Sequence, residues 1–159
     1  SIKSNAAFST NKNEDFTASI DGSILNLGNT PLSFSPNVII GNMVMYQPSK
    51  NLQISFLSKY VGEQFMSNLN SNVSKLDVLD SYFTSDLNFV YEIATKKVFD
   101  VIIISGIINN IFDTEYVDRG YYYTYDDTWS NPGFSTTIDG AGYYPQATRN
   151  FLVGVTLKF

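Results

Sequence analysis

The sequence predicts an all-β fold, an antiparallel transmembrane β-barrel segment of about six strands with long extracellular loops and short periplasmic turns. Three observations predict it. Phe151, Val153, Val155, Leu157 and Phe159 alternate with Leu152, Gly154, Thr156 and Lys158, which gives a strand one apolar face and one mixed face. Aromatic residues make up 15% of the chain and charged ones only 16%, with 11 Tyr and 12 Phe against 1 Trp, a bias toward strand formers. The segments that read as strands are joined alternately by short turns and long polar loops. That rhythm suits an outer-membrane barrel, whereas long structureless loops count against a compact soluble domain.

Taken in order, residues 1–10 read as a weak strand with Ile2, Ala6 and Phe8 on one face. Residues 11–34 are rich in Asn, Ser, Asp and Gly and read as a loop, with local extended structure at residues 16–20. Pro36 opens a second strand over residues 38–46, and residues 47–51 form a short turn. Residues 52–65 are the clearest internal strand: Leu52, Ile54, Phe56 and Tyr60 share a face opposite Gln53, Ser55, Lys59 and Glu63. Residues 66–78 read as a polar loop. Residues 79–93 alternate again, with Phe83, Leu87, Phe89, Tyr91 and Ile93 against Thr84, Asp86, Asn88 and Glu92. A short turn at residues 94–98 leads to a strand over residues 99–112. Its run Ile102-Ile103-Ile104 also suits a fully buried strand of a soluble sheet. Residues 113–145 read as a very long loop before the last strand.

Parity adds a check. If the final strand runs inward, every long loop falls outside and every short turn inside. Tyr46, Tyr91, Phe99 and Phe159 then lie at the inner ends, and Tyr60, Phe65, Phe83 and Phe151 toward the outer ends, as two aromatic girdles. A final strand ending on an aromatic residue fits a barrel-closing strand. Helix signals are poor, for no long stretch keeps a 3.6-residue period. No apolar run approaches the roughly 20 residues of a membrane helix.

The totals exclude several classes of function. The chain has 159 residues, enough for one domain. It has no cysteine and no histidine. Disulfide frameworks, thiolate metal sites and the commonest general base are therefore absent. The net charge of −5 argues against a nucleic-acid partner. The chain opens Ser1-Ile2-Lys3-Ser4 with neither an initiator Met nor a signal peptide, which raises the expectation of a removed leader or of a piece of something longer.

Several stretches together resemble the C-terminal part of TonB-dependent outer-membrane receptors of the Bacteroidetes type. They are Ser35-Pro36-Asn37, Lys50-Asn51-Leu52, Ser58-Lys59-Tyr60-Val61-Gly62-Glu63-Gln64-Phe65, and Ile108-Asn109-Asn110-Ile111-Phe112-Asp113-Thr114-Glu115-Tyr116. Tyr144-Pro145-Gln146-Ala147 with Arg149-Asn150-Phe151, Gly154 and the terminal Phe159 complete them. The resemblance covers nearly all of residues 1–159. It implies the C-terminal part of a 22-strand barrel with a plugged lumen, in the bacterial outer membrane, without the plug or the earlier strands. The function it implies is TonB-dependent uptake of a bulky nutrient such as an iron chelate or oligosaccharide, the chain supplying barrel wall and ligand-facing loops. Its implied partners are the remaining strands and plug domain, outer-membrane lipid, the TonB energy-coupling system through the plug, and the barrel-assembly machinery, which would read Phe159 as its C-terminal signal. A surface lipoprotein is a further partner the family allows. No cofactor is implied. Two alternatives stand beside this reading: a structural or assembly-linked outer-membrane barrel module without transport activity, and a soluble β-sandwich burying Phe56, Phe89 and Val155 between its layers.

The candidate ligand-binding residues lie in residues 113–145. This stretch holds Asp113, Glu115, Asp118, Asp126, Asp127 and Asp139 against one base, Arg119, so it carries the whole net charge. It also holds Tyr116, Tyr121, Tyr122, Tyr123, Tyr125, Trp129, Phe134, Tyr143 and Tyr144; Tyr and Trp side chains offer large, rigid, amphipathic contact area. Tyr121, Tyr122, Tyr123, Tyr125, Asp126, Asp127 and Trp129 are the expected ligand contacts, against the plainer reading that they fold the loop on itself. Asp126 and Asp127 with Asp118 or Asp139 offer oxygens to Ca²⁺, but without EF-hand spacing a solvated acidic loop is the expectation, and no metal. No catalytic residue is expected, since nothing supplies a fixed scaffold for paired carboxylates. Lys59, Glu63, Asp86, Glu92 and Lys158 are expected in interstrand or plug-facing ion pairs. Arg149 is expected to pair or to anchor the loop, and Lys96-Lys97 to form a solvated turn.

Overall fold

A computed structural model describes residues 1–69, 76–95 and 98–159. The Lys96-Lys97 turn lies outside the described residues, as does the middle of the connection at 66–78. All regular structure is β: β1 (Ile2–Phe8), β2 (Lys12–Asn13), β3 (Thr17–Ile20), β4 (Ser23–Asn26), β5 (Thr30–Pro31), β6 (Val38–Ser49), β7 (Leu52–Val61), β8 (Gln64–Phe65), β9 (Val78–Leu79), β10 (Tyr82–Ala94), β11 (Val101–Asn109), β12 (Val117–Asp127), β13 (Thr136–Pro145) and β14 (Asn150–Lys158).

Six of these form one antiparallel sheet in the order β1-β6-β7-β10-β11-β14. Neighbours in the sheet follow one another along the chain, so the sheet is an up-and-down meander. The short turns after β6 and β10 fall at one end. The three long connections fall at the other. Among the described residues β1 pairs only with β6 and β14 only with β11. The sheet is therefore open, with two free edges, and no closed barrel is formed.

The register gives every strand of this sheet the same two faces. Ile2 lies opposite Val44, Val44 opposite Phe56, Phe56 opposite Leu87, Leu87 opposite Ile108 and Ile108 opposite Phe151. One row lower, Tyr46, Ile54, Phe89, Gly106 and Val153 follow across the same face. Because side chains alternate along a strand, these rows define an apolar face that crosses all six strands. The opposite face mixes Lys3, Asn5, Met43, Ser55, Lys59, Asp86, Asn88, Ser105 and Thr156. Where Phe89 crosses Gly106, the glycine is needed: a Cβ there would fall 2.2 Å from a ring carbon of Phe89.

No second layer of the described chain is laid over the apolar face, although the Phe112 ring packs edge-on to Phe56 and Ser85, on the same face, is 1% exposed. Phe56 and Phe89 are half-exposed and Val155 is 63% exposed. All three lie on one face of one sheet, so no second layer is packed against them and no sandwich is built. The fully buried apolar residues are Val61, Met66 and Leu79, gathered at the long-connection end. Face area decides how unusual this is. Six strands spaced about 4.8 Å apart and read over about 20 Å span on the order of 500 Å², the upper end of what a soluble monomer exposes as one apolar patch.

Several expected boundaries change. The strand at 52–65 stops at Val61, because Gly62 and Glu63 turn the chain and β8 leaves the sheet to pair with β9. The loop at 11–34 contains two small hairpins, β2 with β5 and β3 with β4, the latter at the expected extended segment. Residues 113–145 are not a structureless loop but mainly a long hairpin, β12 paired with β13 over almost their full length.

Of the expected interstrand or plug-facing ion pairs, the interstrand ones do not form among the described residues. Lys59 lies opposite Gly41 and Thr84, Glu92 opposite Ile103, and Lys158 opposite Val101. The register puts no opposite charge directly across from these three; Asp86 is the diagonal neighbour of Lys59, but no ion pair within 4 Å joins them. Among the described residues the ion pair within 4 Å is Arg149 with Asp113, at 3.9 Å.

Candidate functional site

The ribbon formed by β12 and β13 rises from the long-connection end of the sheet, and its base is tied down by the Asn-Asn-Ile-Phe-Asp stretch that ends β11. Asn110 is buried and sits at φ 49°, a left-handed conformation that Asn tolerates better than most residues. Its backbone N–H donates to Asp86 Oδ1 at 2.8 Å. Its Nδ2 donates to the carbonyls of Thr114 and Ala147, and its Oδ1 accepts from the Thr114 N–H at 3.0 Å. One side chain thus joins the start of the ribbon's ascending leg to the return into β14. Asp113, also at positive φ, accepts from the Arg149 N–H at 2.8 Å. The backbone of Arg149 thus ties the loop to Asp113, and its side chain adds an exposed ion pair with the same carboxylate at 3.9 Å. Tyr82 and Tyr116 stack nearby with centroids 4.4 Å apart. Burial and the carboxylate of Asp118 push the Tyr116 hydroxyl above the usual tyrosine range.

Farther up, the ribbon has two unlike faces. Tyr121, Tyr123, Tyr125 and Asp127 share one face with Gly142, Gly140, Ile138 and Thr136; Tyr122, Thr124 and Asp126 share the other with Ala141, Asp139 and Thr137. The second face looks inward to the rest of the long-connection end. Asp126 Oδ2 accepts from Ser19 Oγ at 2.9 Å and from the Gly22 N–H at 3.1 Å, while Oδ1 accepts from Thr137 Oγ1 at 2.7 Å. Asp21 and Thr137 exchange two further bonds, N–H to side chain in each direction, at 2.6 and 2.7 Å. The β3–β4 hairpin is thereby docked on the ribbon. Tyr122 donates to Asp139 Oδ2, and Tyr143 to the Leu76 carbonyl.

The first face is open. Tyr121 and Tyr123 are about half-exposed, and so are Tyr125 and Tyr144. Their rings lie down across the partner strand rather than standing up. A Cβ at Gly142 would fall 2.4 Å from the Tyr121 ring, and one at Gly140 would fall 2.6 Å from the Tyr123 ring. The two ring planes differ by 21° with centroids 6.4 Å apart. That distance matches the two-residue repeat of a strand, roughly 6.6 Å, and the two rings stack along β12. Tyr144 extends the row, 6.1 Å from Tyr121 and tilted by 51°.

The expected site residues are thus sorted by the fold. Tyr121, Tyr123 and Tyr125 share the open face; Tyr122 and Asp126 belong to the docked face. Asp127 accepts from the Trp129 and Ser130 N–H groups and shapes the tip, where Trp129 is 77% exposed. Sequence reading counted Tyr144 among the aromatics of the stretch without placing it in the contact set, and missed Gly140 and Gly142. The signal available was a pair of glycines two apart, in a segment of strand formers, at the same spacing as Tyr121 and Tyr123. Among the described residues no cluster of acidic side chains gathers to hold a metal ion; Asp126 is engaged by Ser19, Gly22 and Thr137, and Asp127 Oδ1 by the tip.

Hydrogen bonds from Thr137 and Ser19 hold the Asp126 carboxyl below its ordinary range, and those from Ser130 and Trp129 do the same for Asp127. An acid whose folded value is lowered contributes stability above its unfolded pKa and loses it as pH falls through the folded one. The docked hairpin is therefore expected to stay in place from neutral pH down through the ordinary carboxylate range and to release only below it. Spin labels at Ile24→Cys and Ile138→Cys check this: their separation should hold at pH 5 and broaden in stronger acid. Broadening above pH 5 would show that Asp126 is not the clasp.

Compared with protein-family models, with curated proteins and with solved structures, the chain matches none.

Proposed function

We propose that the six-stranded sheet is a stretch of wall of an outer-membrane β-barrel receptor of the TonB-dependent type, and that the ribbon above it belongs to an extracellular mouth that captures a bulky nutrient. One observation carries the reading: a largely apolar face that crosses six antiparallel strands, interrupted by one polar row of Ser4, Asn42, Ser58 and Ser85, with no second layer of the described chain over it. A soluble sheet buries such a face against a second layer. Hydrocarbon accepts it directly, with strands of 9–13 residues where β6, β7, β10, β11 and β14 are concerned and about 9–11 needed to cross.

Other features agree. Tyr46 and Tyr91 project from the apolar face near the short-turn end, and Phe99 and Phe159 meet edge-to-face there at 5.0 Å. Tyr60, Phe83 and Phe151 occupy the same face near the long-connection end, which makes two girdles. The free edges of β1 and β14 would need further strands in lipid, because open edges there leave backbone groups unsatisfied. Those strands, a plug in the lumen and the energy-coupling system that moves it are the partners of this reading. A barrel module without transport would share the wall; the ordered, outward aromatic ribbon favours the receptor.

Single cysteines test the orientation. Ser130→Cys at the ribbon tip is expected to react with a membrane-impermeant maleimide on intact bacterial cells. Lys50→Cys in a short turn should react only after the outer membrane is opened. Equal labelling of both on intact cells would sink the proposal.

A further inference from the structure

The row of Ser4, Asn42, Ser58 and Ser85 crosses β1, β6, β7 and β10 on the side of the sheet that is otherwise apolar. It does not sit at the margin of that face. Val44, Phe56 and Leu87 flank it on one side, and Ile40, Tyr60 and Phe83 on the other. Among the described residues none of the four polar side chains makes a hydrogen bond. Ser85 is buried, and its carbonyl accepts from the Ile111 N–H, so the chain's own turn closes that end of the row. Ser4 and Asn42 are exposed, and Ser58 is half-buried. In hydrocarbon an amide has no water to bond, and polar side chains at membrane depth are costly unless they meet a partner. From these observations we infer that the row is an intramembrane contact with a second copy of this chain, a two-fold dimer centred on Asn42 in which each Nδ2 donates to the other copy's Oδ1.

Three features select that occupant. A two-fold axis along the membrane normal returns every residue to its own depth, so an amide on the axis is met by the same amide. A carboxamide carries both donors and an acceptor and is therefore its own complement, as a contact between identical patches requires. Ser4 and Ser58, directly beside Asn42 on the neighbouring strands, are small and let two walls approach closely. Lipid headgroups do not match the row. It holds no cation for a phosphate, and it lies inside the aromatic girdle that Tyr60 and Phe83 contribute to.

This inference rests on the apolar face meeting lipid, and the two ideas fail separately: the cysteine labelling above judges the wall, and self-association judges the row. The chain has no cysteine of its own. Val44→Cys, next to Asn42 on the same face with the amide kept, is expected to give a cross-linked dimer when outer-membrane vesicles are treated with a short bismaleimide. Val155→Cys, also on that face but four strands away, roughly 19 Å, should stay monomeric. A second measurement isolates the amide. Chains carrying a donor or an acceptor dye at Lys50→Cys are mixed in lipid vesicles, and energy transfer is followed as the protein is diluted with lipid. Asn42→Leu should need about tenfold more protein for half-maximal transfer. Its urea midpoint should be no lower than the parent's, since leucine suits hydrocarbon better than an amide does. Asn42→Gln keeps the amide and should associate nearly as well as the parent. The proposal is overturned by the absence of the Val44→Cys dimer, by an adduct with a different protein in its place, or by equal cross-linking of Val155→Cys. Energy transfer that Asn42→Leu leaves unchanged overturns it as well.

Discussion

Asn110→Ala is expected to lower the stability of the long-connection end by about 2–3 kcal/mol and to free the ribbon from the sheet. The side chain makes three hydrogen bonds, to the Thr114 N–H and to the Thr114 and Ala147 carbonyls, in a buried position. Removing one partner of a buried bond costs the desolvation of the group left behind, roughly 1–3 kcal/mol each before water repairs part of it. Alanine also tolerates the φ of 49° poorly. Asn110→Gly separates the two terms: it loses the same bonds but keeps the conformation, so it should cost about 1 kcal/mol less. Arg149→Ala is the contrast. Its ion pair with Asp113 is 3.9 Å long, with the two side chains 56% and 48% exposed, and such pairs contribute about 0–1 kcal/mol. Urea titration gives the stabilities. The anisotropy of Trp129, the chain's lone tryptophan, reports whether the ribbon swings free. Equal effects of Asn110→Ala and Arg149→Ala would show that the buried asparagine is not the joint.

The wall was legible because its chemistry repeats every two residues. Phe83, Leu87, Phe89, Tyr91 and Ile93 announce a face, and the observed register places all of them on it. Even the unclear run Ile102-Ile103-Ile104 resolves once paired: Ile102 and Ile104 join the apolar face, Ile103 the mixed one, and none is fully buried. The ribbon was not legible as a strand pair. Tyr121, Tyr122 and Tyr123 put tyrosine on both faces, which erases the period, and Gly140 and Gly142 are poor strand formers whose reason for being there lies across the ladder, in the rings they support. Distance in sequence hid the clasp as well. Asp126 looked like a solvated acid because Ser19 and Gly22, its partners, are more than a hundred residues away. The motif at Asn110 stood out as a resemblance, while its cause, the tie between Thr114 and Ala147, needed the fold.

Arginine placed on either side of β10 should distinguish hydrocarbon from water. Leu87 sits mid-strand on the apolar face between Phe56 and Ile108; Asn88, next in sequence, sits on the mixed face between Ser55 and Ile107. If the apolar face meets lipid, Leu87→Arg puts a charge near the membrane midplane at a cost of about 2–4 kcal/mol, while Asn88→Arg turns its charge into a polar lumen and costs under about 1 kcal/mol. If that face met water instead, the arginine stem would lie along the neighbouring side chains with its head solvated, and the two variants would differ little. The measurement is the urea midpoint for folding into lipid vesicles, with the yield of folded protein in the outer-membrane fraction beside it. Leu87→Arg should fall far below Asn88→Arg in both. The contrast is informative because the two positions share a strand, a height and an incoming residue, and differ only in the side of the sheet from which the charge leaves.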